Sequence, residues 1–411
     1  MVNKVNIINY FYKNKSNIFL TILFVFIINI ILKSETLYNF IWESQYGLFG
    51  DHKEVINWIK WNYLGFDIFQ DNINFRKMSY GPILLLLPFD IKLEIFYLNY
   101  LPYIIIVFLL SSITFLITPK NKIGYVVLFL SICNPSTLLL IERMNFDIFI
   151  FLITIFIIFN RFYFINWILI SFLSLVKFYP VILGINIMLE NKNRKILMLI
   201  LIILTFSLLS ILYLYSNFEK YQLILEATYY KAGYHFLFSL KTIPKILKYL
   251  FHWNYIFLVI TFLIIFTLLT TYYYKVVKKN KLIDLINVYS LETRLFLLGS
   301  YILLICYLVF SNYFYREIFL IMLFPFLFKF HNIKSIKFFI HFIIYRYIYL
   351  FIYGYINVHD NISYVNDVRY FSEEFLFAIT VKGIIDIFLL SFVGSILFLI
   401  SKKLIYQFKF K

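Results

Sequence analysis

Apolar runs of membrane-spanning length constrain this chain more than any other feature. They lie at residues 17–33, 95–117, 123–141, 146–160, 166–189, 196–215, 254–274, 295–312, 318–330, 337–354 and 378–400, and a helix needs roughly 20 apolar residues to cross the hydrocarbon core of a bilayer. Of the 411 residues, 62% are hydrophobic and only 14% charged, whereas soluble domains carry roughly 25% charged residues. An aqueous core could not take in that surplus, so the expected architecture is one all-α polytopic membrane domain over residues 1–411, with the lipid bilayer as its surroundings. The run 17–33 lacks a small-residue cleavage site and is too long for a signal h-region, which reads as an anchor that stays in the membrane. Cys133 and Cys306 sit inside apolar runs and are expected to pack rather than to cross-link or bind metal.

The formal charge of +17 would suggest nucleic acid as a partner for a soluble protein. Here it reports loop topology instead, and no nucleic-acid partner is expected, because short cytoplasmic loops collect Lys and Arg. Lys4, Lys13 and Lys15 at one end, and Lys402, Lys403, Lys409 and Lys411 at the other, place both termini in the cytoplasm. Two inside ends demand an even number of crossings, and eleven runs is odd. The conflict lies between the inside loops marked by Lys120 with Lys122 and by Lys192, Arg194 and Lys195, which enclose three runs. One of them, 166–189, carries Lys177, Tyr179 and Pro180 in mid-run, and proline breaks the helical hydrogen-bond ladder. Read as two half-length helices meeting at Pro180, it brings the total to about twelve crossings. Inside segments then hold 21 Lys and Arg against three acids, and outside segments 14 against 17.

Two outside segments are large, residues 34–94 and 216–253, with a shorter acidic one at 355–377. In the first, Val55, Ile56, Ile59 and Tyr63 recur at helical spacing beside Trp58 and Trp61, the pattern of a helix resting on the membrane surface. In the second, Thr242 is a candidate N-cap with Pro244 in the first turn and Ile246, Leu247, Leu250 and Phe251 along one face, also expected at the surface.

This topology gathers polar residues on the outer face. Asp51 and Glu54 follow the first span, Glu142, Arg143, Asn145 and Asp147 form a tight turn, Lys177 and Tyr179 sit at the break, and Arg316 and Glu317 lie between two late spans. Charges at membrane depth cost roughly 2.5–3.5 kcal/mol on insertion scales, so each needs a partner or a task. Carboxylates beside Arg and Lys at a lipid interface suit a reaction on a phosphate-bearing lipid. Each residue also has an ordinary reading. Asp147 could cap a helix, Asp51 and Glu54 could be a solvated helix start, Lys177 could snorkel, and Arg316 could pair with Glu317. Asp386, one turn after Lys382, is expected to neutralise it. His52 has no second His or Cys at ligand spacing, so no metal is expected, while His235 beside Tyr234 is a candidate contact to sugar or phosphate.

At these residues the sequence resembles glycosyltransferase family 87, the C-type mannosyltransferases that use polyprenol-phosphate-mannose. The resemblance rests on Gly50 and Asp51 with the helix that follows, on Tyr80, Gly81 and Pro82, and on the turn from Glu142 to Asp147. It continues through Lys177, Phe178, Tyr179 and Pro180 to Asn312, Tyr313, Tyr315 and Arg316, with Pro325 beyond, and spans roughly residues 45–330. Many members carry Gly and Gln where this chain has Glu142 and Arg143. The resemblance implies a GT-C-like scaffold with a large first extracytoplasmic loop. It also implies inverting transfer, outside the cytoplasmic membrane, of mannose or another hexose from a polyprenyl-phosphate donor to a glycan or glycolipid acceptor. Asp51 would be the general base. Arg143, Lys177 and Arg316 would bind the donor phosphate, and Glu54, Glu142, Asn145, Asp147, Tyr179 and His235 would shape the sugar and acceptor pocket. A lipid phosphate already leaves as a stable anion, so no cofactor is expected. The rival functions are an envelope polysaccharide polymerase or ligase, and a lipid-linked sugar flippase or transporter. A transporter is expected to cluster ionisable groups near the midplane and to repeat its halves, and the sequence displays neither pattern.

Overall fold

The computed structural model describes residues 15–34, 48–69, 78, 80–160, 162–186, 196–229, 237–280, 282–309, 312–359, 363–365, 368–370 and 372–409. Helix dominates them. In chain order these are α1 (Lys15–Lys33), α2 (Gly50–Tyr63), α3 (Ile91–Asn99), α4 (Leu101–Ile117), α5 (Lys122–Cys133), α6 (Pro135–Arg143), α7 (Asp147–Phe159), α8 (Tyr163–Val176), α9 (Ile196–Ser216), α10 (Phe218–Tyr229), α11 (Thr242–Phe251), α12 (Tyr255–Lys279), α13 (Leu291–Leu308), α14 (Phe324–Lys329), α15 (Lys334–His359) and α16 (Glu373–Lys409). Five of them, α1, α12, α13, α15 and α16, are long and apolar enough to cross a membrane. The number reaches seven if the bent pairs α3–α4 (40°) and α5–α6 (43°) each make one span. The protein is thus a helical membrane protein. Helix, α or 3-10, makes up most of the described part of every apolar run, but α7 and α8 are short for a full crossing.

The bends follow local chemistry. Asn134 ends α5 and caps α6, its Oδ1 accepting from the Thr137 amide (3.1 Å) with Pro135 in the first turn. In the run 166–189 the interruption falls earlier than Pro180: α8 stops at Val176, Lys177 is extended (φ −142°, ψ 140°), and Tyr179–Leu183 forms a 3-10 turn with Pro180 near its start. Leu175 and Val176, whose carbonyls lack helical partners, find them elsewhere. The Tyr221 hydroxyl donates to Leu175 O (2.7 Å) and the Gly81 amide to Val176 O (2.9 Å). Only glycine fits there, since a Cβ on Gly81 would lie 1.7 Å from Leu175 O.

The long C-terminal helix α16 is central, with 72% of its most apolar window buried, and packs against α12, α13 and α15. By contrast α12 is peripheral, 11% buried in its window, and presents Ile256, Phe257, Ile260 and Leu268 outward. The 3-10 segment Phe314–Leu323 lies against α13 at Gly299, where a Cβ would sit 2.9 Å from both Met322 Cβ and Phe319 O. A short antiparallel pairing of Leu237–Phe238 (β1) with Asn312–Tyr313 (β2) ties the second large loop to the approach of that segment.

The apolar face of α2 is covered by protein rather than turned to a membrane surface. Val55, Ile56, Trp58 and Ile59 of α2 are buried in a small core of their own with Met78, Tyr80, Leu84 and Val176, while Tyr63 is exposed. On α11, Ile243, Pro244 and Ile246 are buried, while Leu250 and Phe251 point outward. Thr242 is not its cap: Lys241 holds that position without a side-chain bond. Cys133 and Cys306 are buried and not joined by a disulfide.

Candidate active site at the end of the helix bundle

Four segments far apart in sequence bring charged side chains to one end of the bundle. The first is α2, whose opening residues Gly50, Asp51 and His52 are buried, and whose preceding residue Phe49 donates its amide to the Glu142 carbonyl. The second is the turn between α6 and α7. Met144 takes the left-handed conformation (φ 48°) that ends α6, and the Asn145 carbonyl oxygen of the side chain accepts from the Asp147 amide (3.1 Å). The third is the break after α8, and the fourth is the 3-10 segment that begins beside Arg316.

Asp147 is the hub, with no exposed surface. Its Oδ1 accepts from Lys177 Nζ (2.7 Å) and from the Tyr179 hydroxyl, and its Oδ2 from Arg316 Nε (3.2 Å). The Arg316 guanidinium also lies over the Tyr179 ring, 5.1 Å from its centre. The Lys177 ammonium has three donors, and a second goes to Asn145 Oδ1 (3.2 Å). Asn145 then passes the network on, its amide donating to Asp51 Oδ2 (2.6 Å) and to the Tyr80 hydroxyl (3.0 Å). Arg143 Nε stands 3.9 Å from Asp51 Oδ1. Asp51, Asn145, Asp147, Lys177, Tyr179 and Arg316 thus form one continuous chain of contacts, with Arg143 beside it.

Several ordinary readings fail on this geometry. Asp147 is not a simple cap, because its carboxylate is taken by three side-chain donors. Asp51 is buried rather than a solvated helix start. Lys177 does not snorkel; its ammonium turns inward to Asp147. Arg316 pairs with Asp147 rather than Glu317. Glu142 is buried and Glu54 half-buried on α2, one turn from the network. His235 lies outside the described residues. His52 serves a different purpose: its Nε2–H donates to the Tyr97 carbonyl (2.8 Å), joining α2 to α3, and burial holds it below the usual imidazole range, hence neutral. Among the described residues no group of three or more His, Cys, Asp or Glu is arranged to hold a metal ion.

Two features escaped sequence reasoning. Tyr80 belongs to the network, with the Lys177 ammonium 4.9 Å above its ring and Trp58 against its edge. The Tyr-Gly-Pro turn signal marks the place but not the contact. The second is a separate charge cluster. Arg346 Nη2 lies 2.6 Å from Glu317 Oε1 and 2.7 Å from Asp386 Oδ1, and Lys382 Nζ lies 2.8 Å from Asp386 Oδ2 and 3.5 Å from Glu317 Oε1. The expected Lys382–Asp386 pair therefore exists, inside a neutral quartet of two cations and two carboxylates. Arg346 sits midway along α15 and Lys382 and Asp386 well inside α16, so ionisable groups do cluster at mid-helix depth, contrary to the sequence expectation.

Chemically, the first cluster offers a buried carboxylate, Asp51, beside cations held in place by another carboxylate. Such an arrangement can accept a proton at one point and stabilise an anion at another. The chain matches no protein-family model, no curated protein and no solved structure.

Proposed function

We propose that this protein is an inverting membrane glycosyltransferase that moves a hexose from a polyprenyl-phosphate donor to a hydroxyl of an extracytoplasmic glycan or glycolipid. In this reading it works from a GT-C-like scaffold of about twelve crossings in the cytoplasmic membrane, with both termini in the cytoplasm. The observation that supports it best is the continuous network from Asp51 through Asn145 and Lys177 to Asp147 and Arg316, assembled from residues that the charge topology assigns to one outer face.

The roles follow from the contacts. Asp51 takes the acceptor hydroxyl proton as the acceptor oxygen bonds to the anomeric carbon and the bond from that carbon to the phosphate oxygen breaks. General-base help of this kind is worth roughly 100- to 10,000-fold. Asn145 on one carboxylate oxygen and Arg143 near the other hold the Asp51 side chain in place and aimed. Lys177 and Arg316 take the negative charge that collects on the departing polyprenyl phosphate. Asp147 becomes a positioning residue, since both its oxygens are engaged in holding those cations and the Tyr179 hydroxyl. Breaking such a buried pair costs about 3–5 kcal/mol, so the cations are fixed before substrate arrives.

The test is sugar transfer by purified protein in nanodiscs from a panel of polyprenyl-phosphate monosaccharides, with a membrane extract as acceptor. Transfer from one donor with inversion at the anomeric carbon supports the proposal; none from any donor by folded protein overturns it. A second reading, a lipid-linked sugar transporter, is favoured by one observation, the quartet of Glu317, Arg346, Lys382 and Asp386 at mid-helix depth. That reading gains if reconstituted protein moves a labelled lipid-linked sugar across liposomes without forming a new glycosidic bond.

A further inference from the structure

A partly open cavity of about 360 Å³ lies at the far end of the helices from the charge network. Two elements run between them. The pair α5–α6 begins with Ile123 and Gly124 in the cavity wall and ends at Arg143, and the stretch Phe314–Lys329 carries Arg316 near its start and ends with Phe328 and Lys329 in the same wall. The two helices of the pair are 12 and 9 residues long. At roughly 1.5 Å per residue they rise about 30 Å before allowing for the bend, close to the roughly 30 Å of a hydrocarbon core. The cavity therefore lies where the apolar belt of the protein meets water, on the face away from the network.

Its lining is divided. Leu116, Ile117, Phe328 and Ile340 are apolar lining residues, while Lys120, Lys329 and Lys337 line the same cavity with His331 and His341. Glu292 is the acid among the lining residues, 3.1 Å from Lys329. One carboxylate offsets one of three lysines, so the cavity carries net positive charge next to an apolar wall. Basic pockets of this kind between membrane helices suit anionic headgroups, whose phosphate meets the lysines while the chain lies on the apolar side.

We propose that this cavity binds a phosphate-bearing lipid headgroup of net negative charge from the leaflet on its own side, with Lys120 and Lys337 on the phosphate and Leu116, Ile117 and Phe328 against the start of the acyl chains. This inference is independent of the glycosyl-transfer reading. The same phosphate chemistry could be met by free phosphate from the water phase, and the test separates the two.

Thermal unfolding of the full chain is followed in detergent micelles supplemented with phosphatidylglycerol, with phosphatidylcholine, or with inorganic phosphate, since a ligand that binds only the folded state raises the melting temperature. Phosphatidylglycerol is expected to raise it several degrees above phosphatidylcholine in the native chain. The double substitution Lys120→Gln with Lys337→Gln, both at exposed positions, is expected to remove most of that rise and leave the phosphatidylcholine value unchanged. If the double variant does not fold, Lys120→Gln alone provides the same comparison. A rise of equal size with inorganic phosphate, lost in the variant, overturns the lipid source in favour of a soluble one. No rise with phosphatidylglycerol, or the same rise in the variant, overturns the site.

Discussion

Arg316 and Glu317 are neighbours in sequence, yet they belong to two different charge clusters. Arg316 reaches Asp147 at the end of the bundle, and Glu317 reaches Arg346 among the long helices. The first cluster is built from helix ends and turns. Its cations keep some access, with 10% of the Lys177 side chain and 15% of the Arg316 side chain exposed, and it includes neutral hydrogen-bonding groups in Asn145, Tyr80 and Tyr179. The second joins Glu317, from the start of the 3-10 segment, to Arg346 inside α15 and to Lys382 and Asp386 inside α16, and none of its four side chains is more than 3% exposed. Two carboxylates there meet two cations. The contrast teaches that burial of charge alone does not mark a reactive site: the quartet balances its formal charges out of reach of solvent, whereas the network around Asp147 leaves Lys177 and Arg316 partly exposed, as the proposed role requires.

Substitutions in the two clusters should therefore fail differently. The largest effect is expected in the quartet. Asp386→Asn leaves Arg346 and Lys382 sharing Glu317 alone, which should cost about 3–5 kcal/mol of stability and appear as lost monodisperse protein on size-exclusion chromatography. Replacing the pair together, as Lys382→Met with Asp386→Leu, should recover part of that loss. Loss of transfer in Asp386→Asn with full stability would instead make the quartet functional and blur the comparison.

Next in size, Asp51→Asn should keep the hydrogen bonding shape of the site and lower turnover by roughly 100- to 10,000-fold, the range of general-base catalysis, with unchanged protein yield. Arg316→Lys comes third. It keeps the charge on Asp147 but loses the forked geometry, and a charge-assisted hydrogen bond worth roughly 1.5–3 kcal/mol corresponds to about a 10- to 100-fold rise in apparent KM for the donor. A change in kcat with KM constant would move Arg316 from donor binding to the chemical step. The smallest effect is expected at the surface pair of Lys60 and Glu94, 2.8 Å apart and partly exposed. Glu94→Gln should shift stability by less than about 1 kcal/mol and leave transfer unaltered, which serves as the baseline for the other three.

Much of the scaffold was legible because apolar runs and helical cores obey one rule, burial of side chains away from water or into lipid. The break after α8 was visible from Lys177 and Pro180, though it falls at Lys177 because the last carbonyls of α8 are satisfied by Tyr221 and Gly81. The convergence of Asp51, Asn145, Asp147, Lys177 and Arg316 could be read from charge topology, which assigns loops to sides. Topology does not assign partners. That Arg316 turns to Asp147 while Glu317 turns to Arg346 depends on the 3-10 geometry of Phe314–Leu323 and on its contact with Gly299, which no local pattern encodes. The small core under α2 was misjudged for a related reason: the spacing of Val55, Ile56 and Ile59 defines an apolar face but not what covers it, and the cover includes Tyr80, Leu84 and Val176 from distant segments.

The most direct measurement is product formation by the native chain and by Asp51→Asn, side by side in nanodiscs, with the same polyprenyl-phosphate sugar, acceptor and amount of folded protein. The native chain is expected to release an inverted glycoside, with the variant at least about 100-fold slower. Equal rates from both proteins would contradict the assignment of Asp51 as the base and, with it, the claim that the network at the end of the bundle is the reactive one of the two.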